Sequence, residues 1–332
     1  MKITVIICTY QRCHSLARAL ESLAVSALPA GVDWEVLVVD NNSRDQTRQV
    51  VEEASQRYAG RFRYLLEPQP GKSNALNAGI REARGEILAF TDDDVIVEQN
   101  WLQNLTAPFR DANCAGVGGK ILPQWNCPPP AWLSLKERYA LSPLSVFDPG
   151  IEAGPLTESP FGANMAFRRG IFEKYGGFRT DLGPGASGTN PQKSEDNEFS
   201  RRLLAAGENL RYEPTAVVYH PVSQQRLQQK YFLAWWFEKV RADIQAFGVP
   251  HGSKRFICGV PGYLFRRLVL WALRWQFAVK PSARFSCKRR VWLLAAQILE
   301  TYRQSRRSGT ITGSEGGQVA SRGSFGIGDR PH

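Results

Sequence analysis

Apolar residues fall in two rhythms along the first ~120 positions. Unbroken runs alternate with helical repeats, at the pace of βα units. Ile3–Cys8 is a near-continuous apolar run, the signature of a strand buried on both faces. Leu16, Leu20 and Leu23 follow at helical spacing. Glu35–Val39 is a second buried strand, ending at Asp40-Asn41-Asn42. Ser43 and Gln46 match a capping box for a helix carrying Val50, Val51, Ala54 and Tyr58. Phe62–Leu66 reads as a third, shorter strand. Gly71 precedes a helix with Leu76, Ile80 and Ala83, and Ile87–Thr91 is the next strand. Short right-handed crossovers of this kind predict an α/β fold, a mostly parallel Rossmann-like sheet with helices on both faces.

In such sheets ligands bind beyond the carboxyl ends of the strands. Three predicted strand ends are polar: Thr9-Tyr10, Asp40-Asn41 and Asp92-Asp93-Asp94. Adjacent carboxylates concentrate negative charge, which is costly unless a cation shares the site. The alternative is a solvated turn whose aspartate caps the next helix. Convergence of the three polar ends on one crevice favours a nucleotide-type ligand with a metal.

From Pro123 to Pro160 the texture changes, and repeated prolines break regular elements. This stretch is either a long excursion across the mouth of the site or a plain connector. Gly183–Gly188 leads toward Glu195-Asp196 and a helix with Phe199, Leu203 and Leu204. A glycine-rich loop before a carboxylate pair resembles a lid; the alternative is a solvent loop before an acidic first turn. Val217–Pro221 is a short strand ending in His220, a sensible third ligand for a borderline cation such as Mn²⁺. From Ser308 onward Gly and Ser dominate, which reads as a disordered tail, 308–332.

Composition adds two constraints. The 332 residues are 43% hydrophobic and 22% charged, ordinary for a globular protein. The net charge of +11 is localised: residues 250–307 hold thirteen Lys/Arg and one acid, Glu300. Polar Tyr10-Gln11-Arg12 interrupts the first apolar run too early for a secretory leader. Six scattered cysteines without a C-x-x-C pair read as reduced cytosolic thiols.

Eight segments, in order, resemble a family-2 glycosyltransferase, an inverting enzyme of the GT-A fold and of the bacterial polysaccharide/glycan type. They are Val5–Arg12, Val38–Ser43, Gly71–Gly79, Phe90–Asp94, Gly162–Arg169, Gly176–Phe178, Glu195-Asp196 and Tyr219–Pro221. Gln11 departs from the family, which more often has Asn there. The resemblance implies a catalytic domain over 1–240, with a nucleotide-binding half (1–120) and an acceptor-binding half (121–240). It implies that Thr9, Tyr10, Arg12, Asp40 and Lys72 hold the donor nucleotide. Asp92 and Asp94 match the ends of its D-x-D motif, and Asp93 contacts the ribose or shares the metal. The resemblance makes Asp92, Asp94 and His220 ligands of Mn²⁺ or Mg²⁺ and puts Asn164 on the sugar or acceptor side. The proton acceptor belongs to Glu195-Asp196, with Asp196 preferred. Asp40 can pair with uracil or guanine, so the base stays open.

The C-terminal third is basic and aromatic. Tyr231, Phe232, Trp235, Trp236 and Phe237 pack on the catalytic domain or frame the acceptor, Trp235 being the candidate contact. Tyr263–Trp275 is helical in pattern and too interrupted by arginine to span a bilayer. The region 241–307 thus reads as basic amphipathic helices, either lying on an anionic membrane or packed on their own domain. No nucleic-acid-binding fold accompanies the charge. The expected enzyme is cytoplasmic, peripheral on the inner face of the membrane, and acts on a nucleotide-sugar donor and a glycan or lipid-linked acceptor. A nucleotidyltransferase, recognised by pyrophosphate release, and a non-catalytic nucleotide-sugar-binding scaffold, indifferent to Asp196→Asn, are the alternatives.

Overall fold

A computed structural model describes residues 1–28, 31–137, 140–185, 195–248 and 255–309. The chain divides into two compact units: residues 1–129 with 135–227, and residues 130–134 with those from 228 onward.

The first unit is built on one mixed sheet. Its strands are β1 (Lys2–Thr9), β2 (Asp33–Asp40), β3 (Phe62–Leu66), β4 (Ile87–Asp92), β5 (Ile96–Val97), β6 (Cys114–Trp125), β7 (Gly154–Pro155), β8 (Met165–Arg168) and β9 (Asn209–Val222). Their order is β3-β2-β1-β4-β8-β6-β9-β5, with β7 on β9. The first four strands are all parallel; β8 enters antiparallel between β4 and β6, and β6 and β9 are parallel. Helices α1 (Cys13–Ala24), α2 (Thr47–Arg57), α3 (Lys72–Glu82), α4 (Trp101–Thr106), α5 (Arg169–Tyr175) and α6 (Glu195–Ala205) flank the sheet. The apolar runs of β1, β2 and β4 are buried on both faces, as their sequences require.

Register decides where polar groups meet. Thr9 lies opposite Asp40, and Cys8 opposite Asp92, so all three carboxyl ends finish at one level. Pro123 pairs with His220 in the second half of the sheet. The predicted short strand at 217–221 is the end of the 14-residue β9, which a register shift beside Gly119/Lys120 bends. The capping box is not formed. α2 starts at Thr47, and Asp45 accepts from its backbone N–H (3.1 Å), while Ser43 Oγ accepts from the Gln11 N–H (2.9 Å). The side chain nearest the helix start won the competition for its free N–H groups.

Aromatic packing seats α6. Phe199 is fully buried, stacked on Phe172 (4.9 Å) and set against Phe178 (4.8 Å) and Phe167 (5.2 Å). Burying such a ring contributes about 1.5–3 kcal/mol. The same cluster reaches Phe90 of β4, so the start of α6 is tied to the strand that ends in the aspartates.

The second unit is helical: α7 (Gln229–Phe247), α8 (Gly262–Phe277) and α9 (Pro281–Gly309). Trp132 packs against Phe232 (5.1 Å) and Phe285 (4.4 Å). Buried Glu300 accepts from Arg241 (3.1 Å) and Gln245 (2.7 Å), so its charge is compensated. No described helix is long and apolar enough to cross a membrane. The expected tail beyond Gly309 lies outside the described residues, and so do residues 186–194 of the expected lid.

Candidate active site

The Asp92-Asp93-Asp94 turn is the centre of a charged cluster, and each aspartate has a different partner. Asp92 Oδ1 accepts from Lys72 Nζ at 2.7 Å. Lys72 opens α3, and its own backbone N–H donates to the Pro184 carbonyl (2.9 Å). Glycine is required just before it: Gly71 has φ 121°, and its N–H donates to Asn41 Oδ1 (2.8 Å). Asp93 is buried, with Oδ2 accepting from Thr9 Oγ1 (2.7 Å) and Oδ1 from Arg12 (3.0 Å). Burial pushes the Asp93 carboxyl up to about 6 against the pull of Arg12. Asp94 faces Arg12 (3.2 Å), His220 Nε2 (3.5 Å) and Arg226 (3.9 Å).

Asp92, Asp94 and His220 each offer a ligand atom, and these atoms lie within 4.8 Å of one another. Burial lowers the His220 pKa against the pull of Asp94, which favours the neutral imidazole, and Arg226 lies 3.5 Å from its ring nitrogens. Two carboxylate oxygens and one imidazole suit Mn²⁺ or Mg²⁺. Charge count agrees. Among the described residues, Asp92, Asp93, Asp94, Glu195 and Asp196 share the region with three cations, Lys72, Arg12 and Arg226, and the raised Asp93 and Glu195 carboxyls reflect burial and the crowded negative charge. The residues present therefore fit a divalent cation.

Lys72 links this end to the carboxylate pair at the start of α6. Its Nζ is 3.8 Å from Glu195 Oε1. Burial opposes its charge, but Asp92 and Glu195 outweigh burial and hold the ammonium well above its ordinary pKa. Glu195 is buried, and desolvation together with the Asp196 charge raises its carboxyl to about 7. Asp196 is more open. Its Oδ2 accepts from the Gly162 N–H (2.8 Å) and its Oδ1 from the Asn197 N–H (2.7 Å), so backbone fixes its orientation. A methyl placed on Gly162 would stand 3.5 Å from Asp196 Oδ2 and 3.7 Å from Lys72 Nζ, so the two groups flank one small space.

Asp40 lies to the side, with Oδ1 accepting from the Ser43 N–H (2.9 Å) and Oδ2 from Tyr64 (2.8 Å). Tyr10 is exposed at the end of β1. Trp235 is on α7 of the second unit, edge-on to Trp236 (5.0 Å). Asn164 departs from expectation. It is fully buried, its Oδ1 accepts from the Trp101 indole (2.8 Å), and its Nδ2 donates to Lys120 (2.9 Å) and Ala216 (2.8 Å) carbonyls. The amide ties α4, β6 and β9 together behind the site, because a strand bend leaves those carbonyls needing donors. Arg226 escaped the sequence reading. It follows His220 by six positions on a turn outside any periodic element, and only its proximity to Asp94 and His220 marks it.

A Rossmann-like half-sheet extended by a mixed set of strands, with acidic strand ends and a buried histidine beside them, defines a glycosyltransferase of the GT-A fold. The chain belongs to glycosyl transferase family 2, whose sequence profile matches residues 4–176. It is 30% identical over 229 residues to the succinoglycan biosynthesis protein ExoM of Rhizobium meliloti, covering 69% of this chain and 68% of that one. It is 26% identical over 242 residues to a glucosyl-dolichyl phosphate glucuronosyltransferase of Haloferax volcanii, covering 71% and 75%. Its fold is similar to that of the mannosyltransferase PcManGT from Pyrobaculum calidifontis, solved with GDP-Man and Mn²⁺. The TM-score is 0.56 at 20% identity, over 94% of this chain and 76% of that one.

Proposed function

We propose that this enzyme is an inverting, metal-dependent glycosyltransferase that moves a sugar from a nucleoside diphosphate sugar to a hydroxyl of a glycan or lipid-linked acceptor. The observation that carries the reading is the pairing of two acidic ends across Lys72. Asp92, Asp94 and His220 cluster on one side, and Asp196, oriented by backbone N–H groups, stands on the other.

Asp196 is the base in this reading. Its carboxylate takes the acceptor hydroxyl proton as that oxygen attacks the anomeric carbon, and the bond to the diphosphate oxygen breaks on the opposite face. Single displacement inverts the centre. A divalent cation held by Asp92, Asp94 and His220 would neutralise the departing diphosphate as a Lewis acid. Lys72 adds fixed positive charge beside Asp92. Asp93 holds Thr9 and Arg12 in place at the end of β1, which this reading assigns to the ribose and base. Asp40, already oriented by Tyr64 and Ser43, keeps lone pairs for a base N–H. Glu195, buried beside Lys72 and raised to about 7, keeps its proton more readily than an ordinary carboxyl, which leaves the base role to the more open Asp196.

The relatives, a succinoglycan biosynthesis protein and a glucosyl-dolichyl phosphate glucuronosyltransferase, support a glycan or lipid-linked acceptor. We place the protein at the cytoplasmic face of a membrane, in peripheral contact with anionic lipid. The test is a panel of nucleotide sugars with an acceptor fraction, with and without Mn²⁺, read as nucleoside diphosphate release and as anomeric configuration by NMR. Inverted product from wild type, and a loss of at least about a hundredfold in Asp196→Asn with donor binding kept, is expected. Retained configuration, or full transfer by Asp196→Asn, refutes the mechanism.

A further inference from the structure

Helix α8 is apolar on two opposite faces. Leu264, Leu268 and Trp271 pack inward against Leu294 and Ile298 of α9. Val269, Leu270, Leu273 and Phe277 recur at helical spacing on the other side, and each is at least half exposed. The stripe runs to the helix end and beyond: Phe277, the last residue of α8, is 80% exposed, and Val279, in the turn into α9, is 92% exposed. A soluble helix normally keeps such residues on its buried stripe alone.

The charge around this turn is of one sign. Arg274 precedes it, and Lys280 and Arg284 follow it, all exposed. The single acid between 250 and 307, Glu300, is buried and paired within the unit, so this segment shows no exposed carboxylate to oppose an anionic surface. Behind the tip, Trp275 and Trp292 meet edge-on (6.1 Å) with Lys288 over both rings. Tryptophan with lysine or arginine is the composition of a bilayer's headgroup level. An apolar tip, a basic collar and a tryptophan layer in succession match the depth profile of an anionic leaflet.

We propose that the α8–α9 turn is a membrane wedge: Phe277 and Val279 enter the acyl boundary, with Leu273 and Leu270 at its rim, while Arg274, Lys280 and Arg284 engage anionic headgroups. This rests on the peripheral-membrane reading above and names the element that makes the contact.

The experiment is co-sedimentation of the full chain with vesicles of phosphatidylglycerol and phosphatidylcholine, and with phosphatidylcholine alone. Wild type should bind the anionic vesicles at least about tenfold more tightly, and high salt should weaken the difference. Phe277→Ser/Val279→Ser should reduce binding at least about tenfold with an unchanged melting temperature, since both side chains are already in water. Lys280→Glu/Arg284→Glu should remove the preference for anionic lipid. If wild type binds and the Phe277/Val279 variant binds equally, the wedge is wrong and the membrane reading survives. If wild type binds no vesicle, both fall. A dimer in the absence of lipid that the same substitutions dissociate would assign the face to a second copy and overturn the proposal.

Discussion

Replacing Asn164 separates a structural amide from a substrate contact. In Asn164→Ala, the Trp101 indole N–H and the Lys120 and Ala216 carbonyls each lose a partner in a buried place. An orphaned buried polar group costs about 1–3 kcal/mol, so three set a range of about 3–9 kcal/mol. Water entering the vacated space would satisfy part of the deficit, which puts the expected loss near the low end, about 3–5 kcal/mol. That is a large share of the ~5–15 kcal/mol that holds an ordinary domain together. Urea denaturation followed by tryptophan fluorescence should show the midpoint falling with an unchanged slope. Gly119→Ala should act on the same amide, because a methyl there would run into Asn164 Nδ2 and the Ala216 carbonyl. Donor KM, measured where both proteins are folded, should stay within about twofold of wild type. Wild-type stability combined with a raised donor or acceptor KM would refute this reasoning and return Asn164 to the sugar side.

Three further outcomes follow from the cluster and its supports. Mn²⁺ should raise the melting temperature of the wild type, and Asp94→Asn or His220→Ala should weaken that effect at least about tenfold in apparent affinity; an undiminished shift removes these residues as ligands. The Glu195 carboxyl, raised from 4.5 to about 7, favours the protonated folded state. Its effect on stability is nil below the unfolded pKa and turns against folding as pH rises through that window, by on the order of 3 kcal/mol, with Asp93 acting in the same sense up to about 6. Thermal melts from pH 5 to 8 should therefore slope downward less steeply in Glu195→Gln, and parallel slopes would count against the burial of that charge. Phe199→Ala should cost about 3–5 kcal/mol and lower kcat along with stability, because the ring seats α6, whereas Phe199→Leu should recover much of both; full activity in the alanine variant would detach α6 from the site.

The role of Lys72 explains why five carboxylates can share the region. It pairs with Asp92 and approaches Glu195, so the cluster is partly compensated before any cation arrives. Removing one partner of such a pair leaves the other charge uncompensated in a partly buried place.

Much of this protein is legible in its residue order. Apolar runs buried on both faces require covered parallel strands, so β1, β2 and β4 and the polar residues at their ends follow from local pattern alone. The Asp92–Asp94 triplet and His220 stand out for the same reason, as polar residues at element ends beside apolar neighbours, whereas Glu195-Asp196 could equally be an acidic first helical turn and took its role from the family resemblance. Tertiary structure alone decided what each one touches. The register of β1 with β2 and β4 levels Asp40 with Asp92, and the bend in β9 turns Asn164 from an expected sugar contact into an internal tie. Arg226 became visible only beside Asp94, and the exposed stripe of α8 only once its other face was filled by α9. Pattern records which groups a strand or helix must bury. Contact between residues a hundred positions apart depends on register, bends and packing, and those arise from the whole chain closing on itself.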